Sequence, residues 1–192
     1  MKRIISVIIL ISTLALALCS CGNSKIHHVE MTFEGFGTVK IELYGEAAPI
    51  TVKNFMDLVN KGYYNGTKIV RMEKDFVLQG GVGVGTSSIK GEFAQNGVEN
   101  PMLHKRGTIS MARQTTPDSA SDQFFIVLSD KKGASLDGRY AAFGQIIEGM
   151  DVIDAIVASL DSDDFLEGYY GATLGFLKQS SYLKITSAKV ID

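Results

Sequence analysis

The stretch Lys68–Gly81, KIVRMEKDFVLQGG, constrains the fold more than any other part of this 192-residue chain. Two short apolar runs flank a charged turn at residues 72–75, which predicts a β-hairpin. Because side chains alternate along a strand, the hairpin can hold Arg71, Phe76 and Gln79 near one another. A cation, a ring and an amide cannot by themselves perform nucleophilic or acid–base chemistry. They can grip an apolar ring and donate hydrogen bonds to an amide.

Strict alternation of apolar and polar residues predicts further strands on both sides of this hairpin. Two alternating runs surround the turn Gly35-Phe36-Gly37 and predict a first hairpin. Later stretches at residues 108–113, 121–126, 141–147 and 182–191 also favour strands. The alternating apolar residues of the first hairpin are Val29, Met31, Phe33, Val39, Ile41 and Leu43.

Two segments instead repeat their apolar residues at helical spacing. The segment Pro49–Lys61 begins with a proline, which suits the first turn of a helix, and Gly62 follows it. The segment Met150–Leu160 has a similar apolar stripe. The chain is therefore expected to be mainly β with two helices.

The first 20 residues are typical of a secretory signal, not of the fold. Lys2 and Arg3 precede an apolar run that is short for a membrane span of about 20 residues. Ser20-Cys21 resembles a bacterial lipobox, so Cys21 is the predicted lipidation site and residues 21–27 the lipidated N-terminus and tether. An ordinary secretory signal with two incidental cysteines is the alternative.

Composition and spacing argue against several other classes of protein. The net charge of −2 shows no basic excess, which argues against nucleic-acid binding. The histidines follow no HExxH pattern and no CxxC occurs, so neither a metal nor another cofactor is expected. The glycine run Gly80–Gly85 lacks the Lys-Ser or Lys-Thr ending of a phosphate loop. The acidic run Asp161–Asp164 is out of register with a calcium loop.

The hairpin and a series of later motifs together resemble the cyclophilins, a family of peptidyl-prolyl cis–trans isomerases. The motifs occur in the family's order, and the resemblance spans about residues 28–191. It implies a closed eight-stranded antiparallel β-barrel capped by two α-helices, with no cofactor. Besides the hairpin, the matching motifs are GEF at Gly91–Phe93, HKRGTISMAR at His104–Arg113, SDQFFI at Ser121–Ile126, LDG at Leu136–Gly138 and FGQIIEGMDVID at Phe143–Asp154.

The resemblance also implies a role for each residue of the site. Arg71 and Gln79 are expected to be catalytic, and Phe125 is expected to face the pocket while Phe124 faces the core. The expected partners are proline-containing polypeptides. The residues expected to bind them are Phe76, Val77, Met111, Ala112, Arg113, Gln123, Phe125, Leu136 and Tyr140.

The sequence departs from the family's commonest pattern in a few places. Val77 stands where methionine is frequent, and Tyr140 where many eukaryotic members have histidine. Ser135 replaces a large aromatic residue just before Leu136, which puts cyclosporin affinity in doubt. Residues 166–181 form an insertion, expected to be a packed surface hairpin or a contact site.

The chain is thus expected to be a monomeric isomerase domain at residues 28–191 behind a lipoprotein signal peptide at residues 1–20. It would act on exported proteins from the extracytoplasmic face of a bacterial cell membrane. Two alternatives remain: a non-catalytic proline-peptide binder or holdase, and an adhesion lipoprotein that uses the barrel as a scaffold.

Overall fold

The computed structural model describes residues 26–168 and 175–192. The predicted signal segment 1–20, the predicted lipidation site Cys21 and the first part of the predicted tether lie outside the described residues. So does the Tyr169-Tyr170-Gly171 part of the insertion.

Within the described residues, nine strands form one antiparallel sheet. Their order is β3-β9-β1-β2-β8-β6-β7-β5-β4. The strands are β1 (Ile26–Phe33), β2 (Gly37–Tyr44), β3 (Lys68–Ile69), β4 (Arg71–Glu73), β5 (Val77–Gly80), β6 (Thr108–Met111), β7 (Phe124–Val127), β8 (Ala142–Glu148) and β9 (Leu183–Val190).

The sheet curls into a nearly closed barrel because its two edge strands are consecutive in the chain. Only Val70 separates β3 from β4. Lys68 and Ile69 pair with β9 on one side, while Arg71 pairs with Gln79 of β5 on the other. The sheet has nine strands and not the expected eight because a bend at Val70 divides one segment of the chain into two strands. The first, β3, pairs with β9, and the second, β4, pairs with β5.

The two predicted helices lie where the sequence indicated, each ending one residue earlier than expected. They are α1 (Pro49–Asn60) and α3 (Met150–Ser159). A further short helix, α2 (Asp130–Gly133), comes just before Leu136. Among the described residues, no helix is long and apolar enough to cross a membrane.

The barrel interior is packed around aromatic side chains. Phe55 of α1 lies 5.9 Å from Phe124 of β7, edge to face, and 5.1 Å from Phe143 of β8, measured between ring centroids. Tyr64 completes the group at 4.9 Å from Phe55. Helix α1 therefore fills the barrel with its apolar face, and Phe124 points into the core as expected.

The insertion returns to the barrel after the part outside the described residues. Phe165 and Leu177 pair in antiparallel fashion, and both side chains are buried in the core. The Lys178 N–H donates to the Asp164 carbonyl at 2.7 Å. The end of the insertion at Leu177 is thus paired with Phe165 and packed against the core.

Candidate active site

One line of paired residues crosses four strands on the outer face of the barrel. Arg71 of β4 pairs with Gln79 of β5, which pairs with Phe125 of β7, which pairs with Ser110 of β6. Directly paired residues project to the same face of a sheet. We call Arg71, Gln79, Phe125 and Ser110 the outer row. The register of these strands thus brings residues that are far apart in sequence into one site.

A pocket of about 190 Å³ opens on the outer row. Its floor is a small apolar cluster separate from the barrel core, built on Val77, Phe125, Val127 and Leu136. The size and apolar floor suit a small ring, and the polar groups stand at one side. The residues that line the pocket are Arg71, Phe76, Val77, Gln79, Ala112, Arg113, Phe125, Leu136 and Tyr140.

The Arg71 guanidinium is held by two acceptors. Nη1 donates to Gln79 Oε1 at 3.0 Å, and Nη2 donates to Glu73 Oε2 at 2.8 Å. Gln79 in turn donates from Nε2 to Gln123 Oε1 at 3.1 Å. Both members of the Arg71–Glu73 ion pair have side chains only 16% exposed. A planar cation fixed in this way is a preorganised hydrogen-bond donor at the pocket wall.

Arg113 reinforces the pocket rim. Its guanidinium stacks between the rings of Phe93 and Tyr140, at 4.9 and 4.8 Å from their centroids. It also donates to the carbonyls of Gln114 and Arg139. These contacts hold Tyr140 edge-on to Phe125, with 5.5 Å between ring centroids.

A buried histidine supports the pocket from behind. The His104 ring stacks on Phe125, with centroids 6.0 Å apart. Its Nδ1 lies 2.9 Å from Asp137 Oδ1 and its Nε2 lies 3.0 Å from Ser110 Oγ. Burial lowers the pKa of His104, although the hydrogen bond and charge of Asp137 act in the opposite direction. The ring therefore favours its neutral form, which suits a structural support.

The structure brings together most of the residues predicted to form the site, but not all. Gln123 does not line the pocket and joins it through its hydrogen bond to Gln79. Met111 pairs with Phe124, so its side chain points into the barrel core and is buried there. Because adjacent residues of a strand face opposite sides, Met111 cannot share the pocket face with Ser110. Its side chain is not part of the pocket.

Two residues close to the pocket are not among those predicted from the sequence. The sequence predicts Glu73 in the turn, but β4 extends through it, which puts its carboxylate on the same face as Arg71. Side chains two residues apart on a strand project to the same face, so the spacing from Arg71 could have identified Glu73. His104 is expected only as the first residue of the HKRGTISMAR motif, without a metal role, and nothing in its local sequence indicates the stack on Phe125.

A wider groove elsewhere on the described chain is less suited to binding an apolar ring. Its volume is about 810 Å³, but charged residues such as Lys105, Arg106 and Asp130 line it and it is open to solvent. No group of three or more histidine, cysteine, aspartate or glutamate side chains within residues 26–168 and 175–192 could hold a metal ion.

Comparison with known sequences identifies similar proteins. A family model described as cyclophilin type peptidyl-prolyl cis-trans isomerase/CLD matches residues 28–168. A peptidyl-prolyl cis-trans isomerase A of Dickeya dadantii is 37% identical over 163 residues, which are 81% of this chain and 84% of that protein. A peptidyl-prolyl cis-trans isomerase of Acinetobacter baylyi is 42% identical over 125 residues, 62% of this chain and 66% of that protein.

Comparison with solved structures gives the same fold. A cyclophilin type peptidyl-prolyl cis-trans isomerase of Cryptosporidium parvum, solved in the presence of the dipeptide Ala-Pro, superposes with a TM-score of 0.68. The match covers 86% of this chain and 99% of that one, at 24% sequence identity. At 24% sequence identity, this similarity establishes a shared fold and nothing more.

Proposed function

Since this chain belongs to the cyclophilin-type peptidyl-prolyl cis–trans isomerases, we propose that it accelerates rotation about X–Pro bonds in exported polypeptides while a lipid at Cys21 anchors it to a membrane. The observation that carries the catalytic part is the Arg71 guanidinium, fixed by Gln79 and Glu73 beside an apolar pocket of ring size. The anchoring part rests on the sequence of residues 1–21.

The chemistry requires no bond to break. Amide resonance raises a rotation barrier of about 18–20 kcal/mol, and uncatalysed X–Pro exchange takes tens of seconds or longer. A catalyst has only to favour the twisted amide over both planar forms. In the twisted form the prolyl nitrogen regains a lone pair and can accept a hydrogen bond. A donor aimed at this nitrogen therefore stabilises the transition state selectively.

The pocket supplies both requirements. Phe76, Val77, Phe125 and Leu136 would hold the proline ring, and Arg71 would donate to the prolyl nitrogen from the adjacent wall. Gln79 orients Arg71 through the 3.0 Å hydrogen bond. Since the guanidinium is already held before substrate arrives, little reorganisation is needed when the amide twists.

Replacing Arg71 by alanine tests this mechanism. Loss of one preorganised donor typically costs about 2.7–4 kcal/mol of transition-state stabilisation, on the order of a hundredfold or more in rate. We expect Arg71→Ala to reduce turnover by that factor, while affinity for a proline peptide falls much less. The measurement is the isomerisation rate by exchange NMR beside the affinity for the same peptide, with folding checked by circular dichroism.

Two further variants make the interpretation specific. Arg71→Lys should rescue turnover only partly, because an ammonium lacks the planar fork of donors. Phe125→Ala should weaken peptide binding and turnover together, since it empties the ring pocket. If Arg71→Ala lowered affinity and turnover by the same factor, Arg71 would be only a binding contact.

The lipid anchor is tested separately. Cys21→Ala should leave an unprocessed precursor that carries no lipid, detected by mass spectrometry of the membrane fraction and by detergent partitioning. Cys19→Ala is the matched control and should be processed and anchored like the unmodified chain. If Cys21→Ala protein were still lipidated and membrane-bound, the anchor would lie elsewhere.

A further inference from the structure

The insertion pairs with the chain at Arg71 through an isolated antiparallel β-bridge. The Met72 N–H donates to the Gly175 carbonyl at 2.9 Å, and the Leu177 N–H donates to the Val70 carbonyl at 3.0 Å. These two bonds flank a direct pairing of Arg71 with Phe176. Such a pair is the non-hydrogen-bonded kind, in which the side chains come closest, with Cα atoms about 4.5 Å apart.

This pairing continues the outer row by one more residue. Arg71 is paired with Gln79 on one side and with Phe176 on the other, so both partners project to the pocket face. Leu177, the next residue, is buried in the core, as the alternation requires. The Phe176 ring therefore lies on the Arg71 side of the pocket, and it is 37% exposed.

A second apolar side chain lies beyond Phe176. The Leu166 N–H donates to the Phe176 carbonyl at 3.0 Å, which places Leu166 on the next stretch of chain. Its neighbour Phe165 is buried in the core, whereas Leu166 is 45% exposed. We call Leu166 and Phe176 the apolar extension. It adjoins the pocket through Arg71, which lines the pocket and is paired with Phe176.

The apolar extension is firmly attached to the barrel. Gly175 has a φ of +50°, and a Cβ placed on it would lie 2.1 Å from the Met72 carbonyl oxygen. Only glycine therefore allows the segment to approach β4 this closely. The Arg71–Phe176 pairing is thus built on a fixed backbone.

We propose that the apolar extension is a subsite for a large apolar side chain of the polypeptide substrate, one or two residues from the proline. Neighbouring strands are about 4.8 Å apart, so Phe176 is one such step beyond Arg71. An extended substrate advances about 3.3 Å per residue. Counted from the prolyl nitrogen at the Arg71 guanidinium, the side chain of the first or second residue beside the proline can therefore reach this ring. The occupant is the substrate itself because Arg71, which lines the proline pocket, is paired directly with Phe176. This inference rests on the proposed isomerase function.

The test uses peptides that differ only beside the proline. Each peptide carries alanine, leucine or phenylalanine at one of the two positions on either side of an Ala-Pro unit, and kcat/KM is measured by exchange NMR. An aromatic contact is worth about 0.5–1.5 kcal/mol. We therefore expect the unmodified protein to prefer leucine or phenylalanine over alanine at one of these positions, on the order of threefold to tenfold.

The variants assign this preference to the apolar extension. Phe176→Ala should bring the ratio close to one, Leu166→Ala should lower it partly, and Phe176→Leu should keep most of it. Ile147→Ala is the matched control, because Ile147 is similarly exposed at 42% but lies on β8, which is paired with neither Arg71 nor Phe176. It should retain the full ratio.

The proposal is overturned if the unmodified protein shows no preference at any position, or if the preference survives in the Phe176→Ala, Leu166→Ala double variant. An equal loss in Ile147→Ala would also overturn it. If no peptide is turned over at all, the isomerase function fails instead. In that case chemical-shift titration measures the affinity for each peptide. The ratio of the affinities for the leucine or phenylalanine peptide and for the alanine peptide then decides whether the subsite exists.

Discussion

Glu73 gives the Arg71 guanidinium a second acceptor besides Gln79. Its carboxylate accepts from Arg71 Nη2 and so fixes the second arm of the guanidinium. We expect Glu73→Gln to lower kcat by about threefold to tenfold with little change in KM, because misorientation costs most in the transition state. Steady-state kinetics with a proline peptide measure both constants.

Asp75→Asn is the matched control for this change. Asp75 carries the same charge two residues further on, is exposed, and has a φ of 58°, which asparagine tolerates well. The control should keep normal kcat. If kcat of Glu73→Gln were higher than kcat of the unmodified protein, the ion pair would hold Arg71 away from its productive orientation.

Among the individual site residues, alternation predicts Val77 and Gln79 on one face of the hairpin, but not Phe76, which lines the pocket from just before β5. Alternation and motif order could not predict which residues of distant strands are paired. Met111 shows the limit: its motif lies at the groove edge, but its register with Phe124 turns the side chain into the core. Contacts between distant segments, such as His104 on Phe125, depend on the closed barrel and leave no local signal.

At the scale of the secondary-structure elements, helix α1 begins without a capping side chain of its own. Its N-cap residue is Ala48. The buried carboxylate of Glu92 instead accepts from the N–H groups of Ile50 and Thr51, at 3.0 and 2.7 Å, and from Thr51 Oγ1 at 2.7 Å. A carboxylate at a helix N-terminus accepts hydrogen bonds from otherwise unpaired N–H groups. Its negative charge also interacts favourably with the positive end of the helix dipole.

Replacing Glu92 by glutamine removes the charge and one acceptor. We expect the free energy of unfolding to fall by about 1–3 kcal/mol, because a buried N–H loses its partner. Urea denaturation followed by circular dichroism measures the change. Glu99→Gln, at an exposed position, should leave stability unchanged. Equal stability of Glu92→Gln and the unmodified protein would mean that the helix is not held by this contact.

The elements themselves were largely predictable, because two kinds of periodicity separate strands from helices. The break at Val70 was not, since it comes from the sharing of one chain segment between β9 and β5. The path of the insertion was equally hidden, because the pairing of Phe176 with Arg71 joins segments about a hundred residues apart in sequence.

At the scale of the whole molecule, acid acts against folding through the buried histidine. The pKa of His104 is lowered from 6.5 mainly by burial, so the unfolded chain binds a proton more readily than the folded one. The unfolding free energy is therefore fully retained above pH 6.5 and declines as the pH falls toward the lower pKa of the folded protein. One proton gives a slope of at most about 1.4 kcal/mol per pH unit.

Urea denaturation at half-unit steps from pH 7.5 to about 4.5 measures this slope, with the window chosen around the usual histidine pKa. We expect His104→Gln to be less stable than the unmodified protein at pH 7.5, since it loses the stack on Phe125, but to show a flatter pH dependence. His28→Gln, which removes a surface imidazole near Glu42 and Asp192, should keep the slope that His104 causes. An unchanged slope in His104→Gln would show that protonation of this ring does not limit the stability of the barrel in acid.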